Sequence, residues 1–169
     1  MLQLYFTAKA QQHIRTSWLN CIPEAIAPDD MQTWHINIIT VQRIKLVQAM
    51  HEASRLALLL YDYRKADSEH FDVWLQQHLS RAISRLFLPN PFEEALQKCE
   101  RITAHNRSVT AHMKEHAWVS EYWLCEQQIP LSQELVDLCN LREASYLRKT
   151  KADRDFYYPT ELWRELLAR

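Results

Sequence analysis

Residues Thr33 to Tyr61 read TWHINIITVQRIKLVQAMHEASRLALLLY. Three runs rich in β-formers follow one another here: Thr33 to Val41, Ile44 to Met50 and Arg55 to Tyr61. The first alternates, with Trp34, Ile36 and Ile38 on one face and His35, Asn37 and Ile39 on the other. Connections this short force antiparallel neighbours, because a parallel return takes a crossover of about a dozen residues. The expectation is a meander. Its Gln42-Arg43 corner lacks the Asn-Gly chemistry of a tight hairpin and leaves the register open.

Upstream, Leu2 to Phe6 (LQLYF) also alternates and predicts a strand joining the meander at an edge. Thr7 can cap a short helix from Ala8 to about Ser17, and Asn20 to Gln32, with Pro23, Pro28, Asp29 and Asp30, reads as a loop. Downstream of Asp67 the period becomes 3.6, and Phe71, Trp74, Leu75, Leu79, Ala82, Ile83 and Leu86 form one apolar stripe. A second helix is predicted from Asn90-Pro91-Phe92-Glu93, burying Phe92, Ala95, Leu96 and Cys99. Arg101 to Thr103 can return to the sheet before a helix from Asn106 to Leu124, and Ser132 opens another that runs through Leu135, Leu138 and Cys139. Thr160 to Leu167 predicts a terminal helix around Trp163. Strands first and helices after argue for α+β: a small, mainly antiparallel N-terminal sheet covered by C-terminal helices, in a single domain over residues 1–169.

Composition narrows the chemistry. The chain has no glycine, which excludes phosphate-cradling loops, the dinucleotide fingerprint and the nucleophile elbow, all of which need backbone without a side chain. Turns are expected to use Asn, Asp and Pro instead. A formal charge of -1 removes the overall field that non-specific nucleic-acid binders carry, though a local basic patch is compatible with it. Cys21, Cys99, Cys125 and Cys139 are widely spaced and read as free thiols, mostly at apolar helix positions. With no long apolar run and no signal-peptide pattern, a cytoplasmic protein is expected.

Arg101 to Leu124 (RITAHNRSVTAHMKEHAWVSEYWL) holds three of the eight histidines, so chemistry is expected there first. Asn106, Arg107 and Ser108 stand where an extended segment meets a helix N-terminus, a place suited to an anion; the plainer reading is that Asn106 or Ser108 caps the helix. His112 and His116 are four apart on one face, and His105, Cys99 or Glu115 could complete a metal set. The order H-M-K-E-H is not the zincin arrangement, so no metal and no cofactor are expected. A nucleophile pair can be drawn from Cys99 or Ser108 with His105 or His112, and an RNase-like acid–base set from His35, His51, Arg107 and His112, though eight histidines make such sets easy to draw. From Arg142 to Trp163, Arg142, Arg148, Lys149, Lys151 and Arg154 interleave with Tyr146, Tyr157, Tyr158 and Trp163, a pattern that suits phosphates and stacked bases. Six tryptophans leave room for an exposed aromatic patch that docks a protein.

Three segments carry a resemblance: Leu2 to Lys9 (LQLYFTAK); Trp34 to Ile38 followed by Arg43 and Lys45; and Thr103 to Val109 (TAHNRSV). Together the chain resembles a bacterial family of uncharacterised proteins, domain of unknown function 6933. It departs from the family pattern at Ala111 and at Lys114-Glu115. The resemblance implies small cytoplasmic bacterial proteins from mobile or accessory gene neighbourhoods, and no activity. The expected function is therefore a non-enzymatic accessory protein that binds a protein or nucleic-acid partner, with a homodimer compatible and no membrane. The alternative is a phosphodiester-acting enzyme such as a toxin-like RNase, centred on Arg107 with His105, His112 or His35.

Overall fold

In the computed structural model, which describes residues 1–15, 32–92, 96–103, 106–149 and 155–168, the strand-rich stretch forms most of a five-stranded sheet. Its strands are β1 (Leu2–Phe6), β2 (Thr33–Val41), β3 (Ile44–His51), β4 (Ala57–Leu60) and β5 (Cys99–Ile102), in the order β4-β3-β2-β1-β5. The helices are α1 (Ala8–His13), α2 (Phe71–Arg85), α3 (Arg107–Glu126), α4 (Gln133–Ala144) and α5 (Pro159–Leu167), with a 3-10 segment, Lys65–His70, leading into α2.

The class is α+β, but the sheet is mixed rather than mainly antiparallel. β2, β3 and β4 form the antiparallel meander. β1 runs parallel to both β2 and β5, so it lies inside the sheet and not at its edge. The reason is the connection from Thr7 to Gln32, which contains α1 and exceeds the dozen or so residues that a parallel return needs. For the same reason the helices are not all C-terminal: α1 falls between the first two strands. It covers Ala8–His13 only, and the loop expected over 20–32 lies, up to residue 31, outside the described residues.

Turns in a chain without glycine are solved in an unexpected way. Positive φ is adopted by Gln42 (49°), Arg43 (67°), Arg55 (59°), Asp62 (66°), Phe87 (54°) and Gln128 (54°), so Gln, Arg and Phe take places expected for Asn or Asp. Positive φ at both Gln42 and Arg43 is the handedness that matches strand twist in a tight hairpin. Tertiary contacts hold it there: Gln42 Nε2 donates to the Ile129 carbonyl at 2.9 Å, and its Oε1 accepts from the Leu131 amide at 2.9 Å. With the corner held, Val41 faces Ile44 and the register is set.

Helices cover both sheet faces. Leu4, Phe6, Trp34, Ile36, Ile38, Val47 and Ala49 share one core with the predicted α2 stripe and with Trp163 of α5. On the other face Ile39, Leu46 and Leu59 pack against Leu124 of α3 and Leu135, Val136 and Cys139 of α4, while Met50 and Ala57 meet Val109 and Met113 of α3. β4 is an edge strand, and its exposed backbone is closed by a side chain: Asn140 Oδ1 accepts from the Leu59 amide at 2.7 Å while its Nδ2 donates to the Leu59 carbonyl at 2.8 Å. The helix expected to bury Leu96 and Cys99 does not extend that far. Asn90 Oδ1 accepts from the Phe92 amide in a local turn, Leu96 is exposed, and Cys99 opens β5. Residues 93–95 lie outside the described residues.

Candidate functional site

The alternation of β2 and β3 places His35, Asn37 and Gln48 on the sheet face covered by α3. There they enter a directed chain of hydrogen bonds. Thr7, whose Oγ1 caps α1 by accepting from the Ala10 amide, donates that hydroxyl to Asn37 Oδ1 at 2.8 Å. Asn37 Nδ2 donates to Gln48 Oε1 at 3.0 Å. Gln48 Nε2 spends one hydrogen on the Met113 carbonyl at 2.8 Å and the other on His116 Nδ1 at 2.9 Å. Because Nδ1 is thereby an acceptor, the neutral ring of His116 carries its proton on Nε2. Burial, with the nearby charge of Arg148, pushes this histidine down to about 3, so the ring is neutral near pH 7.

A second set lies further along β2. Nε2 of the fully buried His35 is 2.6 Å from Glu52 Oε2, and the Tyr5 ring is 5.0 Å from the imidazole. Glu52 Oε1 accepts from Asn106 Nδ2 at 2.7 Å. Burial alone would raise the Glu52 carboxyl, but the hydrogen bonds from His35 and Asn106 outweigh it and hold the group below its ordinary value. Asn106 is the N-cap of α3: its Oδ1 accepts from the amides of Ser108 (3.0 Å) and Val109 (3.3 Å). One carboxylate thus ties the start of α3 to the end of β3.

The residues singled out from sequence fall into three places. Arg107 and Ser108 are exposed on the first turn of α3, and two amides of that turn are already accepted by Asn106. His112 is half-buried on the next turn; burial first, then the charges of Arg55 and Arg148, lower it below its ordinary value. Arg148 is buried, 3.7 Å from Glu143 and 3.8 Å from Glu115, with its backbone paired to Tyr157. Lys149 is exposed over the Phe156 ring at 5.2 Å, and Trp163 turns inward to donate to the Pro89 carbonyl at 2.9 Å. His105, Lys151, Arg154 and Cys21 lie outside the described residues. Cys99 and Cys139 are free, buried and pushed up to about 12 by burial, while Cys125 is free and exposed. Among the described residues no group of three or more His, Cys, Asp or Glu side chains is placed to hold a metal ion.

Sequence reasoning missed Glu52, Gln48 and Glu143. Gln48 carried a signal: it stands opposite Asn37, so two polar side chains meet at inward positions of neighbouring strands. Glu52 carried none, since its partner Asn106 is far along the chain.

The fold and this face define an α+β protein with helices on both sides of a mixed sheet and a hydrogen-bonded polar layer under one of them. The chain belongs to the family described as Domain of unknown function (DUF6933), whose profile matches residues 3–162. No curated protein and no solved structure matches it. Among the described residues no helix is long and apolar enough to cross a membrane.

Proposed function

We propose that this chain is a non-catalytic accessory protein that binds a protein partner where the end of α2 meets α4. Phe87 carries the reading. It is the residue just past α2, where the Phe87 amide bonds the Ser84 carbonyl at 3.0 Å and the Leu88 amide bonds the Ile83 carbonyl at 3.3 Å, the Schellman closure that favours Gly or Asn. A side chain at positive φ there costs about 1 kcal/mol, and this one is 87% exposed, so neither local conformation nor burial accounts for it. It borders a groove of about 500 Å³ walled by Leu138 and Leu141 and rimmed by Arg85, Glu134 and Asp137. An aromatic anchor beside an apolar groove with a charged rim is the anatomy of a protein contact.

A second copy of the chain is one occupant this reading admits. A nucleic-acid partner would use Arg148, Lys149, Lys151 and Arg154, of which Arg148 is buried, so the apolar groove is the stronger support. The phosphodiesterase alternative calls for imidazoles converging with Arg107, whereas His35, His51 and His116 are wholly inside and Arg107 is exposed. The proposal extends to a single domain in a bacterial cytoplasm, carried on a mobile element, which rests on the resemblance read from the sequence.

The test compares the parent with Phe87→Asn in affinity capture and in light scattering. Asn suits the backbone, so the variant is expected to stay folded and to bind its partner, or itself, about tenfold or more weakly. Equal binding by parent and variant defeats the reading.

A further inference from the structure

We propose that the outward face of α3 docks a second copy of this chain, helix against antiparallel helix, with Trp118 beside the two-fold axis. The face shares no residue with the α2–α4 groove. α3 turns Val109, Met113, His116, Ser120 and Leu124 inward. Opposite them stand Trp118, 70% exposed, and Tyr122, 62% exposed, one turn apart with ring centroids separated by 6.4 Å and planes inclined by 24°. Stacked aromatics lose little freedom on binding, so the pair is a ready anchor. Ala111, Trp118 and Cys125, all exposed, recur every seven residues, and Glu115 and Tyr122, also exposed and seven apart, fall between them. That is the spacing of a seam between two helices.

Charge says what lies across the seam. On this side of α3, Arg107 and Lys114 stand in the N-terminal half and Glu121 and Glu126 in the C-terminal half, while Glu115 already has Arg148 at 3.8 Å. The order opposes the helix dipole: the first turn holds no acidic residue and the last turn no basic one. Among the described residues Lys114, Glu121 and Glu126 enter no ion pair. An antiparallel copy turns this arrangement from unfavourable to favourable, because each cationic half then lies along an anionic half and the two dipoles oppose. With the axis beside Trp118, Lys114 falls across from Glu121 of the second copy, and the Tyr122 ring across from the small Ala111. The interface is isologous, so each pairing occurs twice. A nucleic acid would meet three carboxylates against two cations, which repels phosphate. Trp118 lies near the middle of α3, so the two helices overlap along almost the whole length of about 30 Å. One helix pair is at the small end of stable interfaces, and the dimer is expected to be reversible.

The test is sedimentation of the full chain over a concentration series. The parent is expected to self-associate, and Trp118→Ala to weaken this about tenfold or more. Lys114→Glu and Glu121→Lys each set like charges across the axis and are expected to weaken it about tenfold when measured alone. Mixed in equal amounts, these two variants are expected to associate as well as the parent, since every pair then joins opposite charges. That recovery also shows that neither variant has unfolded. Phe87→Asn is expected to leave the dimer intact. A parent that stays monomeric overturns the proposal and leaves the face to a different protein. A dimer that survives Trp118→Ala but not Phe87→Asn runs through the α2–α4 groove and also overturns it, as does a mixture of the charge variants that associates no better than either alone.

Discussion

Along β2, Trp34, Ile36 and Ile38 look into a core closed by α2 and α5, while His35 and Asn37, one residue away, enter hydrogen bonds that reach Glu52, Asn106, Thr7 and Gln48. The first face is held by burial, worth about 1.5–3 kcal/mol for each large side chain and indifferent to direction. The second is held by bonds that exist only when α3 sits at one height and one rotation over the sheet. A slip of β2 by one residue would exchange the two chemistries, so the pairing of faces specifies register as firmly as either does alone. The polar face also concentrates the risk, because a broken network leaves buried groups unpaired.

The largest test of this contrast lies on the apolar side. Trp34 is fully buried, with the His51 ring at 5.2 Å and the Trp163 ring at 5.7 Å, and Trp34→Ala is expected to cost about 4 kcal/mol in urea unfolding. A cost comparable to that of a surface substitution would show that the α2 side does not carry the fold.

The polar side is expected to fail in acid. His116 in the folded chain is held near 3, below its ordinary 6.5, so the unfolded chain binds the proton first. Stability from its neutral state is therefore complete above pH 6.5 and drains as pH falls toward 3, by roughly 1.4 kcal/mol per pH unit. His112, also lowered, adds in the same direction. Glu52, held below its ordinary 4.5, adds stability above that value that is lost as pH falls through its folded value. Urea midpoints measured from pH 7 to pH 4 check this, and His116→Gln is expected to flatten the slope between pH 6.5 and 4.5 by about half or more. An unchanged slope would place the titration elsewhere.

Asn140→Ala sharpens the comparison where α4 meets the edge strand. Both Leu59 backbone groups lose their partner, at an expected cost of about 2–3 kcal/mol, and the Leu59 amide is expected to exchange with deuterium much faster than its neighbours. The smallest effect is a gain. Relief of positive φ in Phe87→Asn is expected to add about 1 kcal/mol, a rise of a few degrees in Tm, outside both faces.

Much of this architecture was legible in the chain. The β2 bounds Thr33–Val41, the α2 stripe, the Asn106 cap of α3, the Ser132 cap of α4 and the inward Trp163 all follow from local period and capping chemistry, and all are observed. The interior position of β1 was not, because Leu2–Phe6 reads alike at an edge or within a sheet; only the length from Thr7 to Gln32 hinted at a parallel return. The Asn90 helix was over-extended because Leu96 and Cys99 fit a helical stripe, whereas pairing with β1 draws Cys99 into a strand. In the site, Asn106, Arg107, Ser108 and His112 were visible as residues, but their partners were not. Arg148 looked like one more surface cation until its neighbours were known.

What the amino-acid sequence determines by itself here is periodicity: which residues alternate, which recur every turn, where a helix begins, and that no loop can bring bare backbone against a phosphate. Each depends on neighbours a few residues apart, and short-range sterics and hydrogen bonding suffice. Tertiary structure alone decided which strands run parallel, how Gln42 and Phe87 come to hold glycine's conformation, and that Glu52, His116 and Arg148 are enclosed. Those outcomes depend on groups far apart in the chain, whose mutual bonds form only once the sheet and its two layers of helices have come together.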